Sequence, residues 1–168
     1  LFPNLAAAAD ACDGIDNDGD GFFDESTVVV ASGNCGVAIP DWSATGNGSP
    51  GKCSINVTET RTVLDANALL NISHTWDGDL EVDLETSGGG QLRMFADVGG
   101  SGDNFTNTVL DDDAGATIGS GTAPFAGSYK PVASLDSCLD GTDPSGEWTL
   151  WVWDDASGDT GTINGFSM

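Results

Sequence analysis

Short stretches of alternating apolar and polar residues recur along this chain, and turn-forming Gly and Asp pairs separate them. In residues 79–85, Leu80, Val82 and Leu84 point to one side of an extended strand, and the acidic residues between them point to the other, wet side. The pattern predicts eight β-strands, at residues 53–59, 62–76 with a break near residue 66, 79–85, 91–95, 107–110, 116–118, 148–153 and 161–168.

The predicted strand 148–153 carries apolar residues on both of its sides. Such a strand is central in its sheet, with the second sheet on one side and a loop or a partner on the other. Two hypotheses follow for Trp151 and Trp153. They pack beneath the N-terminal segment 1–50, or they form an exposed aromatic platform for sugar rings or a protein partner.

The composition agrees with a single β-rich domain. Of 168 residues, 39% are hydrophobic, and 24 glycines with 6 prolines favour turns over long helices. The 27 acidic residues face 4 basic ones, and the net charge of -23 disfavours nucleic acid and anionic membranes but favours divalent cations and salt. The longest apolar run, residues 5–9, is far shorter than the ~20 residues that span a bilayer, so no membrane insertion is expected.

The cysteine count indicates an exported protein. Cys12, Cys35, Cys53 and Cys138 form no CxxC pair and have no nearby histidine, which favours two disulfides in a secreted chain over a zinc site. Three pairings are possible, and we expect Cys12–Cys35 and Cys53–Cys138. Because residue 1 is not Met and no basic leader is present, we expect any export signal to be already removed or to lie outside this sequence.

An acidic segment near the N-terminus has the pattern of a calcium loop. Residues 10–25 contain seven acids and no basic residue, and this much like charge is costly unless a cation neutralises it. Residues 16–21 read D-x-D-x-D-G, the opening of an EF-hand-type loop, in which Gly21 permits the turn that brings a backbone carbonyl to the cation. The predicted ligands are Asp13, Asp16, Asp18, Asp20, the carbonyl of Phe22, Asp24 and Glu25.

The end of this loop departs from the EF-hand. Position twelve counted from Asp16 is Thr27, and Glu25 stands at position ten, as in the shortened calcium loops of secreted proteins that this spacing resembles. Oxygen ligands without thiolate or imidazole favour calcium over zinc or copper, and a solvated acidic linker is the alternative. The run 12–21 also resembles metal-binding repeats of bacterial surface proteins, so copper capture remains a weaker hypothesis.

Several motifs in the rest of the chain occur in one order. Residues 74–80 read HTWDGDL, residues 145–150 read SGEWTL and residues 158–167 read GDTGTINGFS, with the segments 98–106, 110–114 and 123–131 between them. This series resembles the P domain (P/Homo B domain) of proprotein convertases, in particular its bacterial branch. The resemblance implies a jelly-roll β-sandwich over residues 38–168, with residues 1–37 as an extension that carries the calcium loop. It also implies a domain that accompanies catalysis and does not perform it.

A second set of carboxylates lies within this region. Three form a like-charged triplet and four lie in Gly-rich turns: Asp111, Asp112 and Asp113, then Asp77, Asp79, Asp155 and Asp159. The resemblance to bacterial P domains implies that some of them hold calcium, although the spacing alone does not say which. A solvated acidic surface of the kind that keeps proteins soluble in a salty habitat is the alternative.

No catalytic constellation is recognisable in the sequence. His74 is the only histidine, and its alternation with Ile72 and Trp76 predicts a half-buried side chain with satisfied hydrogen bonds. There is no Gly-x-Ser-x-Gly elbow and no phosphate-binding or dinucleotide turn. We therefore expect a non-enzyme.

The leading hypothesis is a calcium-stabilised accessory domain of a larger secreted protein, a subtilisin-like protease or another exported hydrolase. Its expected partners are calcium ions and the adjacent domain of the same polypeptide. The competing hypothesis is a jelly-roll module that binds carbohydrate or a cell-surface partner through Trp42, Trp151 or Trp153. The two hypotheses predict different results, namely calcium-dependent stability without a ligand, or glycan binding that tryptophan substitution abolishes.

Overall fold

The computed structural model describes residues 30–42 and 48–168. In this part of the chain it has nine β-strands, one short α-helix and single 3-10 turns at Asp77–Asp79 and Ile118–Ser120. The strands and the helix are β1 (Ser32–Ile39), β2 (Gly51–Val57), β3 (Ala68–His74), β4 (Leu80–Glu85), β5 (Gln91–Ala96), β6 (Phe105–Leu110), β7 (Gly127–Tyr129), α1 (Leu135–Leu139), β8 (Gly146–Asp154) and β9 (Gly161–Ser167).

The strands form two sheets around one hydrophobic core. One sheet has the order β1-β9-β3-β6-β7 and the other the order β2-β8-β4-β5. The pairs are antiparallel except for β6 with β7. Alternate residues of each central strand point into the core, as Leu70 and Ile72 do from β3 and Val82 and Leu84 do from β4. The predicted all-β sandwich is therefore confirmed.

Three stacked phenylalanines join the two sheets. Phe105 of β6 lies between Phe95 of β5, with ring centroids 4.8 Å apart, and Phe125, with centroids 4.6 Å apart. All three side chains are fully buried. Because β5 and β6 belong to different sheets, this stack fixes the connection between the sheets, and the loop 97–104 between these two strands is anchored at its base.

Seven of the eight predicted strands overlap an observed strand. The prediction at residues 116–118 is wrong, because Thr117 makes only an isolated bridge to Lys130 and Ile118 begins a 3-10 turn. Strand β3 begins only at Ala68, after the predicted break. Strands β1 and β7 were not predicted, since β7 has only three residues and no β-branched one, and β1 begins with Ser, Gly and Asn and has its β-branched residues, Val37 and Ile39, only at its end.

The central position predicted for residues 148–153 is confirmed, because β8 lies between β2 and β4. Its outer side carries Trp151 and Trp153, whose rings stack at 5.5 Å between centroids. The ammonium of Lys52 lies 3.5 Å from the centre of the Trp151 ring, and the indole N–H donates to Glu85 Oε2 at 2.8 Å. Both tryptophans are half-buried, and the Trp151 side chain already contacts Lys52, Glu85 and Trp153.

The disulfide joins a pair of cysteines that we did not expect. Cys35 of β1 is bonded to Cys53 of β2, with 5.6 Å between Cα atoms, so the expected pairs Cys12–Cys35 and Cys53–Cys138 are wrong. Cys138 on α1 is a free, exposed thiol. The error follows from the missed strand β1, which places Cys35 beside the first strand of the other sheet. Cys12 lies outside the described residues.

The compact unit that contains the sandwich runs from Ala31 to Met168. Its first strand pairs with β9, with Ala38 opposite Thr162, and therefore extends across residue 38, the predicted start of the domain. None of the helices in the described part of the chain has the length and apolar composition needed to cross a membrane.

Candidate cation site beside Asp77

Two loops meet at one end of the sandwich and enclose the side chain of Asp77. The 3-10 turn Asp77–Asp79 connects β3 to β4, and the loop 97–104 connects β5 to β6. The backbone N–H of Asp77 donates to the carbonyl oxygen of Gly102 at 2.8 Å, and that of Gly78 donates to the carbonyl oxygen of Gly100 at 2.8 Å. These bonds hold the turn and the loop together although they are about twenty residues apart in sequence.

Glycines allow this close approach. A Cβ atom at Gly99 would lie 2.8 Å from the Phe125 ring and 3.0 Å from Cβ of Asp77, and Gly99 has a φ of 89°. A Cβ atom at Gly102 would lie 2.6 Å from Cβ of Ala123. Side chains larger than hydrogen are excluded at both positions, so the loop closes over Asp77 only because these residues are glycines.

The carboxylate of Asp77 is fully buried and neither of its oxygens has a hydrogen-bond partner. Its pKa is raised to about 6, mainly by burial and to a smaller extent by the charge of Asp103, although the backbone N–H of Asn104 and the nearby His74 act to lower it. The Asn104 N–H is close enough to affect the pKa, but it makes no bond of normal geometry with either oxygen. A buried carboxylate of this kind needs a proton or a cation.

The groups around Asp77 suit a hard cation. Calcium takes six to eight oxygen ligands, including backbone carbonyls and water, and the carbonyls of Gly100 and Gly102 each have a second lone pair beside the hydrogen bond that they accept. No cluster of three or more His, Cys, Asp or Glu side chains in the described residues has the geometry of a metal site. A cation here would therefore be held by one buried carboxylate, by loop carbonyls and by water.

Three more of the predicted carboxylates lie at the same end of the sandwich. Asp155 donates its N–H to the carbonyl of Asp79 at 2.9 Å, and Asp159 accepts a bond from the hydroxyl of Thr75 at 2.8 Å. The pKa of Asp79 is raised by burial and then by the charge of Asp159, and the pKa of Asp155 is raised by burial and then by the charge of Asp97. These shifts describe a set of mutually repelling carboxylates that a nearby cation would stabilise.

The triplet Asp111, Asp112 and Asp113 lies elsewhere. Leu110 is opposite Ala68 at the start of β3, whereas Asp77 follows the end of β3, so the two sites are at opposite ends of that strand. Oδ2 of Asp112 accepts bonds from the hydroxyl of Ser134 at 3.0 Å and from the N–H of Asp136 at 2.7 Å, at the start of α1. Asp112 thus has a structural partner without any ion, and the structure does not bring the triplet together with the other four carboxylates.

The predicted N-terminal calcium loop lies outside the described residues. Its ligands therefore remain a prediction, and they are Asp13, Asp16, Asp18, Asp20, Phe22, Asp24 and Glu25.

His74 has satisfied hydrogen bonds, as predicted, but is more deeply buried than expected. Its Nδ1 is 2.8 Å from the carbonyl oxygen of Trp76, and its Nε2 is 3.3 Å from Oδ2 of Asp154. Burial raises the pKa of Asp154, while bonds from the Ala156 N–H and from His74 lower it. Asp154 was missed in the sequence, although it continues the inward alternation of Trp148, Leu150 and Val152.

The fold and this site together define a β-sandwich module with loop carboxylates at one end. The family model of the proprotein convertase P-domain matches residues 63–168, and the chain belongs to that family. Comparison with curated proteins gives no match.

Two solved structures have a similar fold. They are the crystal structure of the serine protease of Aeromonas sobria and that of the Aeromonas sobria serine protease in complex with the chaperone ORF2. Each is 16% identical to this chain with a TM-score of 0.53, and the match covers 83% of this chain and 26% of the protease chain. This chain therefore spans about a quarter of the length of those proteases.

Proposed function

We propose that this chain is a non-catalytic accessory domain of a larger secreted protein that contains a subtilisin-like protease domain or another exported hydrolase. The observation that carries the proposal is the match of residues 63–168 to the P-domain family. The fold shared with one part of a serine protease supports the same function. The Cys35–Cys53 disulfide supports an oxidising, extracellular location.

The accessory role is tested in the full-length parent protein. Deletion of the sandwich unit Ala31–Met168 is expected to lower the thermal midpoint of the catalytic domain, and the isolated chain is expected not to hydrolyse casein. A parent protein without a catalytic domain, or hydrolysis by the isolated chain, would contradict the proposal.

We further propose that calcium stabilises this domain. The buried, unpartnered carboxylate of Asp77 supports a site in the described residues, and the acidic residues 10–25 support a second site. Binding to the folded state alone adds about 2.7 kcal/mol per site at a hundredfold excess of free calcium over the dissociation constant. For a chain of this size, that corresponds to a rise of roughly 5–11 °C in the thermal midpoint.

Calorimetry with excess calcium and after chelation tests this proposal. Asp77→Asn, which keeps the shape and removes the charge, is expected to reduce the calcium-dependent rise. Asp140→Asn, at an exposed carboxylate that is not among the predicted ligands, is the matched control with an unchanged rise. The variant with Asp16, Asp18 and Asp20 all changed to Asn isolates the contribution of the N-terminal loop. If Asp77→Asn showed the same calcium-dependent rise as the parent chain, the proposed site at Asp77 would be contradicted. If the parent chain showed no rise with calcium, the proposal that calcium stabilises the domain would be contradicted.

A further inference from the structure

A polar groove crosses the outer face of the five-stranded sheet and includes Asn104, at the end of the loop that closes over Asp77. Its volume is about 480 Å³, which lies within the ~300–1,000 Å³ of small-molecule sites. Four asparagines supply much of its lining, and none of the residues that line it is ionisable. The polar side chains of the groove are Asn34, Asn71, Ser73, Asn104, Thr106 and Asn164.

Irregular strand pairing on both sides of Asn71 forms this groove. Between β3 and β9, Asn71 is opposite Gly165 and Ile72 is opposite Ile163, so that Asn164 is an extra residue of β9. Between β3 and β6 the register shifts from Leu70 to Ile72, where two residues of β6, Thr106 and Asn107, oppose the single residue Asn71. Such bulges indent a sheet and re-aim its side chains, and they occur frequently beside functional sites.

The protein holds the amide groups of the groove in fixed orientations. Oδ1 of Asn71 accepts the backbone N–H of Asn107 at 2.9 Å, and Oδ1 of Asn104 accepts the backbone N–H of His74 at 3.2 Å. Because only the oxygen of a side-chain amide can accept a hydrogen bond from an N–H, the Nδ2 groups of Asn71 and Asn104 remain available as donors. Nδ2 of Asn164 donates to the hydroxyl of Ser73 at 2.7 Å, which leaves its Oδ1 as an acceptor. Fixed donors and acceptors lower the entropy lost on binding.

The lining also limits the charge of the ligand. The protein has 27 acidic residues and 4 basic ones, yet neither kind lines the groove, so a charged ligand would find no opposite charge there. A ligand with many hydroxyl groups matches amide donors and acceptors. We propose that the groove binds a neutral oligosaccharide of two or three units. Neither the accessory role nor calcium binding is a premise of this proposal, so each proposal can fail without the other.

Titration of the isotope-labelled protein with cellotriose, chitotriose and maltotriose, followed by NMR, tests the proposal. We expect at least one of these neutral trimers to shift the side-chain amide signals of Asn71 and Asn104, with a dissociation constant of about 0.1–10 mM, equivalent to roughly 3–5 kcal/mol. The anionic trigalacturonate is expected to leave them unchanged. No shift with any neutral trimer, or shifts confined to the indole signals of Trp151 and Trp153, would overturn the proposal.

Variants distinguish binding in the groove from binding elsewhere. Asn71→Asp and Asn104→Asp each keep the oxygen that accepts the backbone N–H and remove the free donor. Each is expected to weaken binding about tenfold, the equivalent of one hydrogen bond. Asn56→Asp is the matched control, because this exposed asparagine on β2 lies outside the groove and its replacement adds the same charge. Equal affinity in all three variants would place the sugar elsewhere and contradict the proposal.

Discussion

The environment of the Asp77 carboxylate disfavours the ionised form of this side chain. Nothing in the alternation of residues 74–80 indicates that Asp77 is buried, because its burial depends on the distant loop 97–104 closing over it. The pattern did indicate Asp77 as a candidate ligand, since it lies in a Gly-rich turn. The neighbours Asp103 and Asn104 were missed, although the glycines at positions 99, 100 and 102 just before them mark a loop able to fold around another group.

The pH dependence of metal-free protein tests this environment. The pKa of Asp77 in the folded protein, about 6, is above the ordinary value of 3.8 for an aspartate, so the ionised form is the one that folding disfavours. Stability is therefore highest below about pH 4 with respect to this group and is lost as the pH rises through 6, by about 1–3 kcal/mol. Denaturant unfolding in a chelator, measured from pH 4.5 to 7.5, is expected to show this loss.

Asp77→Asn removes the titrating group and is expected to reduce the loss. The other buried carboxylates with raised pKa, Asp83 and Asp154, keep their smaller part of the slope in this variant. Asp140→Asn, at an exposed carboxylate, is the control for the substitution itself, and its slope is compared with that of the parent chain. An unchanged slope in Asp77→Asn would contradict the burial of an ionised carboxylate at this position.

At the scale of elements, strand β1 depends on covalent and backbone links more than on its own sequence. Its residues Ser32, Gly33 and Asn34 have low strand propensity, and it is an edge strand that pairs only with β9. The disulfide from Cys35 to Cys53 ties it to β2 of the other sheet, over a separation of 18 residues. A loop of this length gives about 3 kcal/mol in the chain-entropy account of disulfides.

We expect the double variant Cys35→Ser and Cys53→Ser to lose about 2–4 kcal/mol of the free energy of unfolding, with the fastest gain in amide exchange in β1. Denaturant unfolding and hydrogen exchange measure the two effects. Cys138→Ser is the control without loss, because that thiol is free and exposed. Equal stability of the double variant and the parent chain would show that backbone pairing alone holds β1.

The same comparison of strands explains which elements the sequence could predict. Strands β4 and β8 follow a period of two with large apolar residues, and both lie inside their sheet, where the pattern decides the structure. Strands β1 and β7 lie at the edges of their sheet, and their extended conformation depends on pairing with one neighbouring strand. The local sequence pattern does not indicate that pairing. The predicted disulfide pairing was wrong because β1 was not predicted, and the spacing of cysteines in the sequence does not show which strands lie side by side.

At the scale of the whole molecule, charge repulsion opposes folding. The net charge is -23, and several basic side chains already have local partners, as Arg93 has in Glu81 and Asp83 and Arg61 has in Glu59. Little positive charge is therefore available to balance the other carboxylates. Exposed carboxylates interact mainly through solvent, so their repulsion depends on ionic strength.

Sodium chloride is therefore expected to stabilise this protein at pH 7, even in the presence of a chelator. The Debye length falls from about 30 Å at 0.01 M to about 3 Å at 1 M, which screens the repulsion between carboxylates. Each kcal/mol regained corresponds to a rise of about 2–4 °C in the thermal midpoint. The control is the same titration near pH 4, where many carboxylates are protonated and the gain is expected to shrink. A gain of the same size at both pH values would mean that salt acts through apolar burial and not through the acidic surface.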